Sequence, residues 1–166
     1  MHAQLSPLVA ATAQWLLRAY PAGGGAVDRA LAEAQARQAA AVAAALRYPT
    51  ELDAALVAVT GAGGADRLDW ITGAGADGAP WRSWVDETVA SWAACLLGEP
   101  ALARAAVAAA GRASARYHRL LSPGDRDLRA AALLRHPDLL APVAGLHRAE
   151  LLAALALDPR DPPLPV

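Results

Sequence analysis

The sequence predicts an all-α fold, a compact bundle of about six to eight helices with a glycine-rich central connector and a proline-rich, disordered C-terminal tail. The first observation is composition: the 166 residues are 55% hydrophobic, and alanine, the strongest helix former, supplies much of that share. The second is the recurrence of larger apolar residues at helical spacing. The third is the punctuation of these stretches by proline, glycine and capping residues, with no alternating pattern typical of strands.

The length of the chain predicts a single helical-bundle domain, residues 1–157. The tail, residues 158–166, carries four prolines, which favour an extended or disordered chain.

The first part of the chain predicts three helices. The first runs from Ser6, a candidate N-cap, to Tyr20. The second covers residues 27–46 and carries a seam of mostly small side chains, which favours close packing of a neighbouring helix or of a second copy in a homodimer. Thr50 and Asp53 form a capping box for the third helix. The seam consists of Leu31, Ala34, Gln38, Val42 and Ala45.

The glycine-rich connector covers residues 61–80, with a short helical stretch at 66–71. A strong helix is predicted over residues 80–97, because its apolar side chains recur on one continuous face. That face consists of Trp81, Val85, Thr88, Trp92 and Cys95.

The last part of the domain predicts one long helix and three shorter ones. The long helix covers residues 100–121. Ser122 is the first residue of a predicted capping box, which starts a helix that ends near Arg135. Two short helices follow, over residues 138–143 and 147–157.

Charge is distributed unevenly along the chain. The formal charge is −4 over residues 1–99, +5 over 100–136 and −2 over 137–166. On the predicted 100–121 helix, four arginines fall within about 120° of arc. Such a stripe is typical either of a solvated face or of a surface that contacts phosphates or acidic side chains. We therefore predict a non-catalytic interaction or regulatory module that binds an acidic protein surface or nucleic acid. The candidate binding residues are Arg104, Arg112, Arg116, Arg119 and Arg129.

An alternative function comes from the arginine–histidine spacing in the same block. Five residues separate Arg112 from His118, and six separate Arg129 from His136. This spacing resembles the motif of the HEPN family of helical nucleases, in which histidine follows arginine after about four to six residues. The resemblance implies a dimeric ribonuclease in which Arg112 holds the scissile phosphate and His118 assists proton transfer. The family commonly has a polar residue directly after the arginine, whereas alanine follows both arginines in this chain.

A third hypothesis is a small-molecule site. Trp81 or Trp84 would line an apolar pocket beneath the glycine-rich connector. The competing interpretation is that the five tryptophans supply the bulk of a core without phenylalanine.

Other function classes lack their motifs. The chain contains no lysine, which excludes a P-loop. His147 and Glu150 provide only half of a carboxylate-bridged metal site, so we expect no metal and no cofactor. The single cysteine, Cys95, is predicted to be buried and inert. No apolar run is long enough for a membrane span and no signal peptide is recognisable, which predicts a cytoplasmic protein.

Overall fold

The computed structural model describes residues 3–75 and 77–156, and these residues are all-helical, as the sequence predicts. Ten α-helices and three 3-10 helices occur in these ranges. The α-helices outnumber the expected six to eight because the short stretch in the connector is a helix of its own and the predicted helix over 100–121 divides into two. The predicted tail, 158–166, lies outside the described residues. The α-helices are α1 Ser6–Ala19, α2 Ala26–Arg47, α3 Glu51–Thr60, α4 Asp66–Thr72, α5 Glu87–Gly98, α6 Pro100–Ala109, α7 His118–Leu121, α8 Asp125–Ala130, α9 Pro137–Ala144 and α10 Arg148–Ala154. The 3-10 helices are Ala3–Leu5, Pro80–Trp84 and Ser114–Tyr117.

The centre of the bundle is α2, which packs against α1, α5, α6, α7 and α8. Its predicted seam is buried only in part: Val42 and Ala45 are buried, whereas Leu31, Ala34 and Gln38 are half-buried. Alanine occupies several sides of α2, so the hydrophobic pattern does not define which side faces the core. The buried alanines pack within the protein and do not form a surface for a second copy. They are Ala32, Ala36, Ala39, Ala40, Ala43 and Ala44.

Of the two helix N-caps predicted in the first half of the chain, one is confirmed and the other is wrong. The capping box of α3 is present: Thr50 Oγ1 accepts from the Asp53 N–H, and Asp53 Oδ2 accepts from the Thr50 N–H, both at 3.1 Å. Ser6 is not an N-cap, because the preceding 3-10 helix makes Leu5 the boundary residue and places Ser6 inside α1.

The predicted helix over 80–97 is two elements. A 3-10 helix ends at Trp84, and Val85 and Asp86 are extended. Asp86 then caps α5, where its Oδ1 accepts from the Val89 N–H at 2.8 Å. An aspartate that bonds the backbone in this way favours a helix start over a helix interior. The tryptophans of the predicted single face therefore lie on different elements.

The predicted helix over 100–121 is also wrong, because α6 ends at Ala109. Gly111 has a φ of 62°, a left-handed conformation that glycine adopts without steric cost. The N–H of Gly111 donates to Ala108 O at 3.0 Å, and the N–H of Arg112 donates to Val107 O at 3.1 Å. This pair of bonds is a Schellman motif, which ends a helix. The four predicted stripe arginines therefore do not share one helix.

The helix predicted from Ser122 to Arg135 is shorter at both ends. It begins after Gly124, whose N–H donates to Asp127 Oδ2 at 3.1 Å. It ends at Ala130, and a series of turns carries the chain to Arg135. Ser122 is therefore not the cap.

Candidate binding surface

The predicted binding arginines lie on successive short elements between α6 and α8. We call residues 104–129 the arginine segment. Arg104 is exposed on α6, Arg112 follows the Gly111 turn, Arg116 lies on a 3-10 helix, Arg119 on α7 and Arg129 on α8.

One of these arginines holds the fold together. Arg119 donates to Asp127 Oδ1 at 2.5 Å, which fastens α7 to the first turn of α8. Burial alone would raise the pKa of Asp127, but the Gly124 N–H and the Arg119 guanidinium outweigh it and hold that pKa below its ordinary value. Arg119 is thus engaged within the protein. Five other arginines also pair with carboxylates: Arg18, Arg37, Arg67, Arg82 and Arg148.

The remaining arginines of the segment are different. Among the described residues, no carboxylate lies within 4.0 Å of the guanidinium of Arg112, Arg116, Arg126 or Arg129. The last three are exposed, and Arg112 is half-buried with an Nε that has no acceptor. No acidic residue occurs between residues 99 and 125. These four arginines therefore carry positive charge that no carboxylate of the described residues neutralises by direct pairing.

The aromatic and histidine side chains of the segment are separated by burial. Tyr117 is 8% exposed and packs into the core, whereas His118 is exposed at the start of α7. Within the described part of the chain, no hydrogen bond joins Arg112 to His118. The structure thus adds no contact that favours the HEPN resemblance.

The two tryptophans proposed for a ligand pocket have different surroundings. The guanidinium carbons of Arg18 and Arg82 lie 5.0 and 5.4 Å from the centroid of the Trp81 ring, which is the geometry of cation–π contacts. Trp84 instead lines an open hollow of about 400 Å³ beside the connector. The structure therefore places Trp84 at a cavity. The other lining residues are Ala58, Val59, Thr60, Gly61, Gly63 and Ser83.

A buried polar network beneath the connector escaped the sequence analysis. Asp69, on α4, is 8% exposed, accepts from Trp15 Nε1 at 2.9 Å and pairs with Arg82. Asp77 pairs with Arg18 at the surface. These bonds fasten the connector to α1, and they join residues far apart in sequence, so no local pattern predicts them.

Cys95 is buried, as predicted, beside a second cavity of about 240 Å³. Burial raises the pKa of its thiol to about 11, although the nearby Arg148 opposes the shift. Its Sγ lies 3.4 Å from Ala144 O. A protonated, enclosed thiol of this kind is a weak nucleophile.

His147 connects α10 to two carboxylates. Its Nε2 lies 2.7 Å from Glu87 Oε1, and its Nδ1 lies 3.1 Å from Glu150 Oε1. Partial burial alone would lower the pKa of His147, but the bonds to both carboxylates outweigh it and raise the pKa above its ordinary value. With a carboxylate at each ring nitrogen, the charged imidazolium form is stabilised relative to that of a free histidine.

This cluster predicts a pH-dependent stability. Because the folded pKa of His147 is raised, its stabilisation should be complete below the unfolded pKa of about 6.5 and lost as the pH rises through the folded pKa. We expect wild type to lose up to ~1 kcal/mol relative to His147→Gln over that rise. Urea unfolding of both proteins at closely spaced pH values measures the difference, and a difference that stays constant with pH would contradict the assignment.

Comparison of the chain with known proteins gives no family assignment. Within the described residues, none of the helices combines the length and apolar character that a membrane span requires. No family model, no curated protein and no solved structure matches this chain.

Proposed function

We propose that this protein is a non-catalytic interaction module whose arginine segment binds an acidic surface of a partner protein. The observation that carries the proposal is the contrast between two sets of arginines. Six pair with carboxylates of the described residues, whereas Arg112, Arg116, Arg126 and Arg129 have no such partner. Arg29 and Arg47 on α2 also lack a carboxylate partner among those residues, and Arg135 bonds amide and carbonyl oxygens instead. The four arginines of the segment differ in that they occur together in one stretch of chain that contains few acids.

Unpaired guanidinium groups suit this role. A guanidinium forms parallel hydrogen bonds with a carboxylate, and it loses less solvation than an ammonium group on binding. Local positive charge also speeds encounter with an acidic partner. Arg112 adds a buried Nε without an acceptor, which costs free energy. A partner carboxylate would give the half-buried guanidinium of Arg112 the ion pair that the described residues do not supply.

Two features favour an acidic protein over nucleic acid. Tyr117 is buried, so the imidazole of His118 is the one exposed aromatic ring that the arginine segment offers for base stacking. Residues 1–99 carry a formal charge of −4, which opposes close approach of an extended polyanion. A compact acidic patch on a partner protein would contact only the arginine segment and would not extend over the acidic remainder of the surface.

The proposal is tested with two labelled probes of equal charge, a glutamate-rich peptide and a single-stranded RNA. We expect the fluorescence anisotropy of the labelled peptide to increase as protein is added, because the peptide binds. We also expect its affinity to fall as added salt screens the charges. Absence of peptide binding at low salt would contradict the proposal. Tighter binding of RNA would make nucleic acid the partner, and shortened RNA would favour the nuclease interpretation of Arg112 and His118.

A further inference from the structure

The short helix α3 turns its larger side chains outward. Leu52, Leu56 and Val59 are 69%, 55% and 87% exposed, while its buried residues are Ala54 and Val57. The three exposed residues recur at i, i+4 and i+7, the spacing of one helix face. We call them the α3 ridge. Helices of a bundle normally bury such a face, so the ridge is an apolar surface without a partner in the described part of the chain.

The ridge continues into a depression at the C-terminal end of α3. Val59 belongs to the ridge and also lines the 400 Å³ hollow, whose lining includes the half-buried Trp84. An apolar ridge that leads to an aromatic-walled hollow matches the surfaces that accept amphipathic helices, in which one large side chain anchors the contact.

The chain around this surface carries more acidic than basic residues. Glu51 and Asp66 are exposed, and no basic residue occurs from residue 48 to residue 66. Arg67, next to Asp66, is exposed but pairs with Glu87 at 3.2 Å. The nearest arginine in the chain before α3, Arg47, lies over the Tyr48 ring, with 5.6 Å from guanidinium carbon to ring centroid. The C-terminal carbonyls of α3 add partial negative charge at the hollow. A complementary occupant is therefore apolar on one face and cationic at its edges.

We propose that the α3 ridge docks an amphipathic helix of another protein, with arginine or lysine flanking its apolar stripe. Charge argues against a second copy as the occupant. Antiparallel pairing of two α3 helices would place each Glu51 beside the C-terminus of the other helix, where negative charge is unfavourable. This docking surface has the opposite charge preference from the arginine segment and does not depend on it.

The probe is a labelled helical peptide with leucine at i, i+4 and i+7 and arginine at flanking positions. A matched peptide carries glutamate in place of arginine. We expect the arginine peptide to bind wild type about tenfold more tightly than the glutamate peptide. Leu56→Ser/Val59→Ser should weaken its binding about tenfold, because two apolar contacts are lost.

Controls separate this proposal from the preceding one. Leu128→Ser/Leu133→Ser removes two exposed leucines elsewhere and should leave peptide binding unchanged, as should Arg116→Gln/Arg129→Gln. Circular dichroism checks that each variant keeps its helices. Equal binding of both peptides, or equal loss in the Leu128/Leu133 variant, would overturn the proposal. A wild-type dimer in sedimentation that Leu56→Ser/Val59→Ser dissociates would overturn it in favour of a second copy.

Discussion

Replacement of Asp69 by alanine is expected to lower the free energy of unfolding by about 3–5 kcal/mol. Arg82 is 8% exposed and pairs with Asp69, so the variant leaves a buried guanidinium with only the more distant carboxylate of Asp77, at 3.9 Å. Trp15 also loses the acceptor of its Nε1–H. Urea unfolding followed by tryptophan fluorescence measures the change.

Two variants of α4 serve as controls. Asp69→Asn keeps an oxygen for Trp15 Nε1 but removes the negative charge, so we expect a smaller loss than with alanine. Asp66→Ala removes an exposed acid from the first turn of the same helix and should cost less than ~1 kcal/mol. If Asp69→Ala is no more harmful than Asp66→Ala, the buried pair does not stabilise the connector.

Replacement of Arg135 by methionine is expected to cost about 3 kcal/mol. Its guanidinium donates to Gln35 Oε1 at 2.6 Å, to Leu97 O at 3.2 Å and to Arg119 O at 2.9 Å. These bonds tie the turns after α8 to α2, α5 and α7. Burial lowers the pKa of Arg135, although Asp127 partly opposes the shift. The side chain stays charged, and its removal leaves several acceptors unsatisfied.

Arg135→Lys tests whether the stabilisation comes from the fork of N–H donors on the planar guanidinium or from the positive charge alone. A lysine keeps the charge but cannot reach several acceptors at once, so it should retain little of the stabilisation. Arg129→Met, at an exposed position, is the matched control and should change the unfolding free energy by less than ~0.5 kcal/mol. Full retention of stability in Arg135→Lys would contradict the proposed role of the fork.

Helices were predictable where their signals are local. The capping box of Thr50 and Asp53 marks the start of α3, and it is present. Gly111 and Asp86 end or begin helices by backbone geometry and capping bonds. Glycine and aspartate also occur within the exposed faces of helices, so finding one of them in an otherwise helical pattern does not by itself locate a helix boundary.

The composition of the arginine segment was predictable, but its arrangement was not. Counting charges locates the excess of arginine over acid between residues 100 and 136. Which arginines remain unpaired depends on distant contacts, such as the bond between Arg135 and Gln35, 100 residues apart. The α3 ridge was likewise hidden, because an amphipathic pattern does not say whether its apolar face meets the core or the solvent.

The most direct test of the proposed function compares two double variants of equal charge in titrations with the glutamate-rich peptide. Arg116→Gln/Arg129→Gln removes two unpaired arginines of the segment, and Arg29→Gln/Arg47→Gln removes two exposed arginines elsewhere. We expect the first variant to bind about tenfold more weakly than wild type and the second to bind as wild type does. Equal weakening of both would mean that net charge alone governs binding, which contradicts a defined site in the arginine segment.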